Sequence, residues 1–119
     1  MHYVDGYLLP LPKKNLKAYK GLAKKASKIW REHGALSYCE AVADDIGVKW
    51  GFPFTKLLKL KRGETAVFAY IVYKTRAHRD RVNAKVMSDP RLNDMCNPDS
   101  MPFDCARMSM GGFKAIVEA

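Results

Sequence analysis

The chain has 119 residues, enough for one hydrophobic core and too few for two, so residues 1–119 read as a single domain. Apolar residues make up 48% and charged residues 28%, with no Gly/Ser/Pro-rich linker, low-complexity tract or internal repeat, which excludes a disordered or fibrous chain. Lys and Arg total 21 against 12 acidic residues, a charge of +9 that invites a polyanion if the basic groups share one surface.

His2 to Leu9 alternates, with Tyr3, Asp5, Tyr7 and Leu9 on one face and Val4, Gly6 and Leu8 on the other, and predicts a first strand closed by Pro10 and Pro12. From Lys13 to His33 the period becomes helical. Leu16, Ala18, Tyr19, Leu22, Ala23, Ala26, Ile29 and Trp30 fill one side of this helix, and Gly34 is placed to stop it. Ala35 to Ala43 alternates as a second strand, and Asp44 to Pro53 reads as loop. Phe54 to Lys61 fits both a short helix capped by Thr55 and a strand in which Leu58 and Leu60 alternate. Thr65 to Tyr73 is apolar on both faces, which predicts a central strand. Thr75 caps a second helix to about Met87, with His78, Val82 and Val86 on one stripe. Pro90 starts a helical turn to Met95, Asn97 to Pro102 is loop, and Arg107 to Val117 is the last strand, with Gly111-Gly112 marking a bulge or a close approach. The order is that of an α+β, ferredoxin-like βαββαβ fold with a four-stranded antiparallel sheet. Helices cover one sheet face; the other stays apolar and aromatic, and a second copy is the economical partner for it.

Three stretches carry a family resemblance: Tyr3-Val4-Asp5-Gly6-Tyr7, Met87-Ser88-Asp89-Pro90-Arg91, and Met101-Pro102-Phe103-Asp104 with Arg107-Met108 and Gly111-Gly112-Phe113. With Arg79-Asp80 and Asn83 on the second helix, the chain resembles the YbaA-like bacterial family, a domain of unknown function, over essentially its whole length. The resemblance implies a homodimeric α+β barrel in which two ferredoxin-like protomers pack their open sheet faces together. Proteins sharing only that barrel include cofactor-independent monooxygenases, muconolactone isomerases and haem-dependent enzymes, and one fold hosts many chemistries. Some family members carry a name referring to the RNA of the signal recognition particle, which makes nucleic acid an alternative partner.

The residues test that alternative. Lys13, Lys17, Lys20, Lys24, Lys28 and Arg31 form a stripe on the first helix, with Lys14 and Lys25 beside it; this is either a solvated outer face or a polyanion contact. Arg62-Gly63-Glu64-Thr65-Ala66-Val67-Phe68-Ala69 begins like an RNA-recognition octamer but has Glu64, Ala66 and Ala69 where stacking aromatics belong. Nucleic-acid binding would therefore be electrostatic and nonspecific.

The candidate site residues are Asp5, Arg79, Asp80, Asn83, Asp104 and Arg107. Asp5 shares a face with Tyr3 and Tyr7, so it is paired with a cation, Arg79 or Arg107, or raised in pKa by burial. Asp104 and Arg107 hold a turn together or line a polar rim. His78 reads as an interior or interface histidine, and Tyr7, Tyr70, Tyr73, Trp30 and Trp50 as core or as the wall of an apolar cavity. The leading expectation is a small organic ligand held there, bound or transformed without metal or other cofactor, with Asp5 as base or anchor and the arginines fixing an anionic group. A purely structural dimer is the remaining reading. No basic start followed by an apolar run and no stretch near 20 apolar residues is present, so secretion and a membrane partner are not expected. Cys39, Cys96 and Cys105 are odd in number and lack metal-ligand spacing, which points to the cytoplasm, where a Cys96–Cys105 disulfide would be an exception.

Overall fold

The computed structural model describes residues 1–95, 97 and 99–119, and its sheet is organised around two ten-residue strands. β1 (Tyr3–Pro12) pairs antiparallel along its whole length with β3 (Glu64–Tyr73), Tyr3 opposite Tyr73 and Pro12 opposite Glu64. β2 (Ser37–Val42) lies outside β3 and β4 (Ser109–Lys114) outside β1, giving the order β2-β3-β1-β4. This is the ferredoxin-like arrangement expected from the order of the elements, an α+β fold on an open antiparallel sheet.

The first strand runs three residues past its expected end, through Pro10 and Pro12. β4 pairs only with Tyr3 to Leu8, so beyond Leu8 the strand has a single neighbour and each missing N–H has an unpaired edge to face. The last strand is shorter than expected at both ends. Arg107 sits in a 3₁₀ turn, Cys105–Arg107, because the Asp104 side chain accepts the Ala106 N–H at 3.0 Å and bends the chain before β4. Register continues without a bulge from Leu8 opposite Ser109 to Tyr3 opposite Lys114. The Gly pair serves close approach instead: a Cβ on Gly112 would lie 2.3 Å from the Tyr3 hydroxyl, so Tyr3 itself lies over this glycine.

A 3₁₀ turn, Lys13–Asn15, leads into α1 (Leu16–Glu32), which ends at Gly34 with φ +117. α2 (Phe54–Leu57) starts from Pro53 rather than from a Thr55 cap. The Pro53 carbonyl accepts both the Lys56 and Leu57 N–H groups at 3.1 Å, leaving Thr55 inside the turn. α3 (Arg76–Met87) is capped by Thr75, whose hydroxyl accepts the His78 N–H at 3.1 Å. α4 (Pro90–Met95) begins at the expected proline, with Asp89 accepting the Arg91 N–H at 2.9 Å. Arg91 also bonds Glu32 at 2.7 Å, and Asp89 lies 2.8 Å from His33 Nε2, so the Asp-Pro-Arg motif ties α4 to the end of α1.

One core unites Ile29 and Ala35 with Ile71 and Tyr73 of β3, Val82 and Val86 of α3, and Leu92 of α4. A second, nearer the far end of β1, joins Leu9, Leu11, Tyr19 and Val67. Each fully buried leucine contributes about 1.5–3 kcal/mol relative to exposure. Among the described residues nothing forms a layer over the opposite sheet face, and Phe68 (50% exposed) and Phe113 (64%) stand on it. Cys39 is a free thiol; Cys96, and with it the Cys96–Cys105 pairing, lies outside the described residues. Among the described residues no helix is long and apolar enough to cross a membrane.

Candidate functional site

Strand alternation places Tyr3, Asp5, Tyr7, Leu9 and Leu11 of β1 toward the helices. Asp5 is 3% exposed, and Arg79 of α3 reaches it with Nη1 3.3 Å from Oδ1, a charge contact without a well-aligned hydrogen bond. Arg79 is itself held on three sides. Its Nη2 donates to the Tyr3 hydroxyl at 3.2 Å, its guanidinium lies 5.0 Å from the Tyr3 ring centroid, and its Nε is 3.0 Å from the exposed carboxylate of Asp80. One turn along α3, Asn83 Oδ1 accepts from both Trp30 Nε1 and the Tyr73 hydroxyl, each at 3.2 Å. Burial raises the Asp5 pKa above the ordinary carboxylate value, against the opposing pull of Arg79, Asn83 and Tyr73.

Asp5, Arg79, Asp80 and Asn83 are thus brought together. Asp104 and Arg107 are not: Arg107 bonds Glu64 at 2.6 and 3.0 Å, and Glu64 is the register partner of Pro12, seven residues along β1 from Asp5, or roughly 23 Å at strand rise. Arg79, not Arg107, is the partner of Asp5. Asp104 and Arg107 hold the turn before β4 and the end of the β2–β3 connection.

A cavity of about 300 Å³ lies between α1 and the sheet. It exists because α1 turns Ala23 and Ala26 toward the sheet and β3 answers with Ala69, three small side chains facing one another. Tyr7, Tyr19, Tyr38, Trp30 and Phe103 wall it, and Met87, Met101, Met108 and Met110 line it further. Glu40 of β2 is the one charged residue among its described lining. Its Oε2 accepts from the Tyr38 hydroxyl at 2.7 Å and its Oε1 from the Tyr19 hydroxyl. Across the sheet Glu40 is opposite Ala69, which is opposite Tyr7, so the alanine leaves carboxylate and phenol in view of each other. Burial, with the charges of Asp5 and Glu40, lifts the Tyr7 pKa to about 12; burial and Glu40 likewise raise Tyr19 and Tyr38. All three phenols therefore stay protonated near neutral pH and act as donors. A second hollow of about 220 Å³, flanked by Leu16, Lys20 and Val42, shares Tyr19, Ala23 and Glu40 with the first.

Of the aromatics expected at a cavity, Tyr7 and Trp30 line it. Tyr73 is buried behind it, Tyr70 stands on the open sheet face, and Trp50 is exposed in the β2–β3 connection. His78 is half-buried beside Tyr73 and accepts the Lys74 N–H through Nδ1 at 2.9 Å. The lysines of α1 are exposed, and none makes a salt bridge among the described residues. Nor do the described residues hold three His, Cys, Asp or Glu side chains placed for a metal ion. Glu40 is absent from the sequence-derived candidates. Its signal was its parity: it alternates with Tyr38 on the face of β2 that packs under α1.

Fold and site together define an α+β, ferredoxin-like domain with a tyrosine-and-carboxylate cavity under its first helix. The chain belongs to the family described as Protein of unknown function (DUF1428), whose model matches residues 2–105. It is 38% identical over 118 residues to the Uncharacterized protein YbaA of Escherichia coli strain K12, covering 99% of each chain, and equally so to YbaA of Shigella flexneri. The YbaA-like resemblance read from the motifs is therefore met. Among solved structures, the de novo designed protein Foldit4 aligns with a TM-score of 0.49 at 9% identity, covering 97% of this chain and 99% of that one.

Proposed function

We propose that the protein binds a small, largely apolar organic molecule bearing one hydrogen-bond donor, in the cavity between α1 and the sheet. The observation that carries this reading is Glu40, a lone carboxylate held by two tyrosine hydroxyls in an otherwise apolar wall. A carboxylate offers about four acceptor positions and the tyrosines occupy two, so acceptor capacity remains for a ligand donor. Ligand pockets of about 300–1,000 Å³ combine apolar walls with few polar groups in this way. Asp5, with Arg79 and Asn83 around it, sits one alternation step along β1 from Tyr7 and fixes the wall from behind. The protein acts in the cytoplasm as a homodimer in this reading, the open sheet face with Phe68 and Phe113 being covered by a second copy.

The neutral fluorophore N-phenyl-1-naphthylamine, an aromatic amine with a single N–H, tests the cavity. The wild type should enhance its emission with saturable one-site binding, and Ala26→Phe, which puts a ring into the hollow, should abolish binding while circular dichroism stays unchanged. Undiminished binding by a folded Ala26→Phe variant would place the ligand elsewhere.

A further inference from the structure

The connection between β2 and β3 turns its largest apolar side chains outward: Trp50 is 84% exposed, Phe52 72%, Leu57 57% and Phe54 45%. This is no slack loop. Gly51 has φ +75, Pro53 starts α2, and buried Leu58 anchors the far end. Behind α2 the chain is clamped: Arg107 Nη2 donates to the carbonyls of Leu58 at 3.3 Å and Lys59 at 3.2 Å, while Glu64 binds Arg107 and accepts the Lys61 N–H at 2.7 Å. Lys59 is held there with φ 50, a left-handed conformation that a lysine keeps only when its surroundings impose it. Glu64 alternates along β3 with Phe68, so the clamp stands at one end of the open sheet face.

We propose that residues 47–57 form an arm that packs against a second copy of this chain, extending the contact made by the open sheet face. The inference rests on the homodimer reading above. Aromatic side chains present about 150–250 Å² each; weighted by their exposure, Trp50, Phe52, Phe54 and Leu57 with Phe68 and Phe113 offer roughly 700–800 Å², the share one partner contributes to a standard interface of about 1,600 Å². Because each copy supplies the same arm and the same face, the contact is isologous and closes on a two-fold axis. Between Val4 and Leu8 and their partners across the sheet, no position on the open face is charged. The exposed Lys49, Lys56, Lys59, Lys61 and Arg62 around the arm then remain at a wet rim. An anionic bilayer would also suit those cations.

Sedimentation velocity over a concentration series, run alongside tryptophan emission, tests this. The Trp50 contribution is isolated as the difference between wild type and Trp50→Phe. The arm predicts a dimer, a Trp50 emission that shifts to the red as the dimer is diluted, and at least a 30-fold weaker dimer in Trp50→Ser/Phe52→Ser. A dimer of unchanged affinity in that variant, with the Trp50 emission of the wild type red throughout the dilution series, overturns the arm while leaving the dimer intact. A monomer at every concentration overturns both. A monomer whose Trp50 emission shifts to the blue only on phosphatidylglycerol vesicles makes a bilayer the occupant and overturns the proposal.

Discussion

Tyr7 stands between two carboxylates of different character: Asp5, buried against Arg79, and Glu40, held by phenols at the cavity. Asp5 was legible in the sequence because alternation from Tyr3 to Leu9 sends it inward. Glu40 was not singled out, because an acid on a short edge strand looks like a solvated residue until the helix above it is known. His78 shows a similar division. Its half-buried position beside Tyr73 and the charges of Lys74, Arg81 and Lys85 lower its pKa, desolvation being the largest cause. The unfolded chain takes up a proton in the ordinary histidine range and the folded chain resists it, so this stability is present above that range and is lost as pH falls through it. The urea midpoint of the wild type should therefore drop more between pH 7 and pH 5 than that of His78→Gln. Equal drops would show that His78 does not carry the dependence.

At the scale of elements, strand parity and helical period located β1, α1, β3 and α3, each of which buries a face against something close in sequence or in the sheet, and the helix-starting Pro90 located α4. The misplacements have local causes that periodicity does not register. Prolines pass through β1 only because β4 stops short of them, and Arg107 is withheld from β4 by the Asp104 turn. The β2–β3 connection was ambiguous because only Leu58 of its apolar residues is buried in the domain, while Trp50, Phe52, Phe54 and Leu57 face outward and leave no periodic stripe. The junction of β1 and β4 depends on the missing Cβ of Gly112, under the Tyr3 ring that also holds Arg79. Gly112→Ala should push that ring aside and cost about 1–3 kcal/mol in denaturant unfolding. In a Tyr3→Ala background the same substitution should cost much less, and an equal cost in both would mean that the clash lies elsewhere.

The whole molecule is a thin slab, 38 × 37 × 20 Å, one helical layer on one sheet. This architecture was legible from the order of elements. An apolar cavity walled by Tyr7 and Trp30 was also expected, but its exact place was not legible, since Ala23, Ala26 and Ala69 read individually as ordinary core positions and the space appears only where they face one another. Glu40 gives that space its chemistry, and the claim that it receives a ligand donor is central. Competition of 1-naphthol and 1-methylnaphthalene against bound N-phenyl-1-naphthylamine isolates it, because the two competitors differ by a hydroxyl in place of a methyl. The wild type should prefer 1-naphthol by at least about tenfold, as a hydrogen bond to a charged acceptor is worth about 1.5–3 kcal/mol, and Glu40→Gln should lose most of that preference. Equal binding of the two competitors by the wild type, or a preference undiminished in Glu40→Gln, would contradict the assignment of this carboxylate as the ligand-binding group.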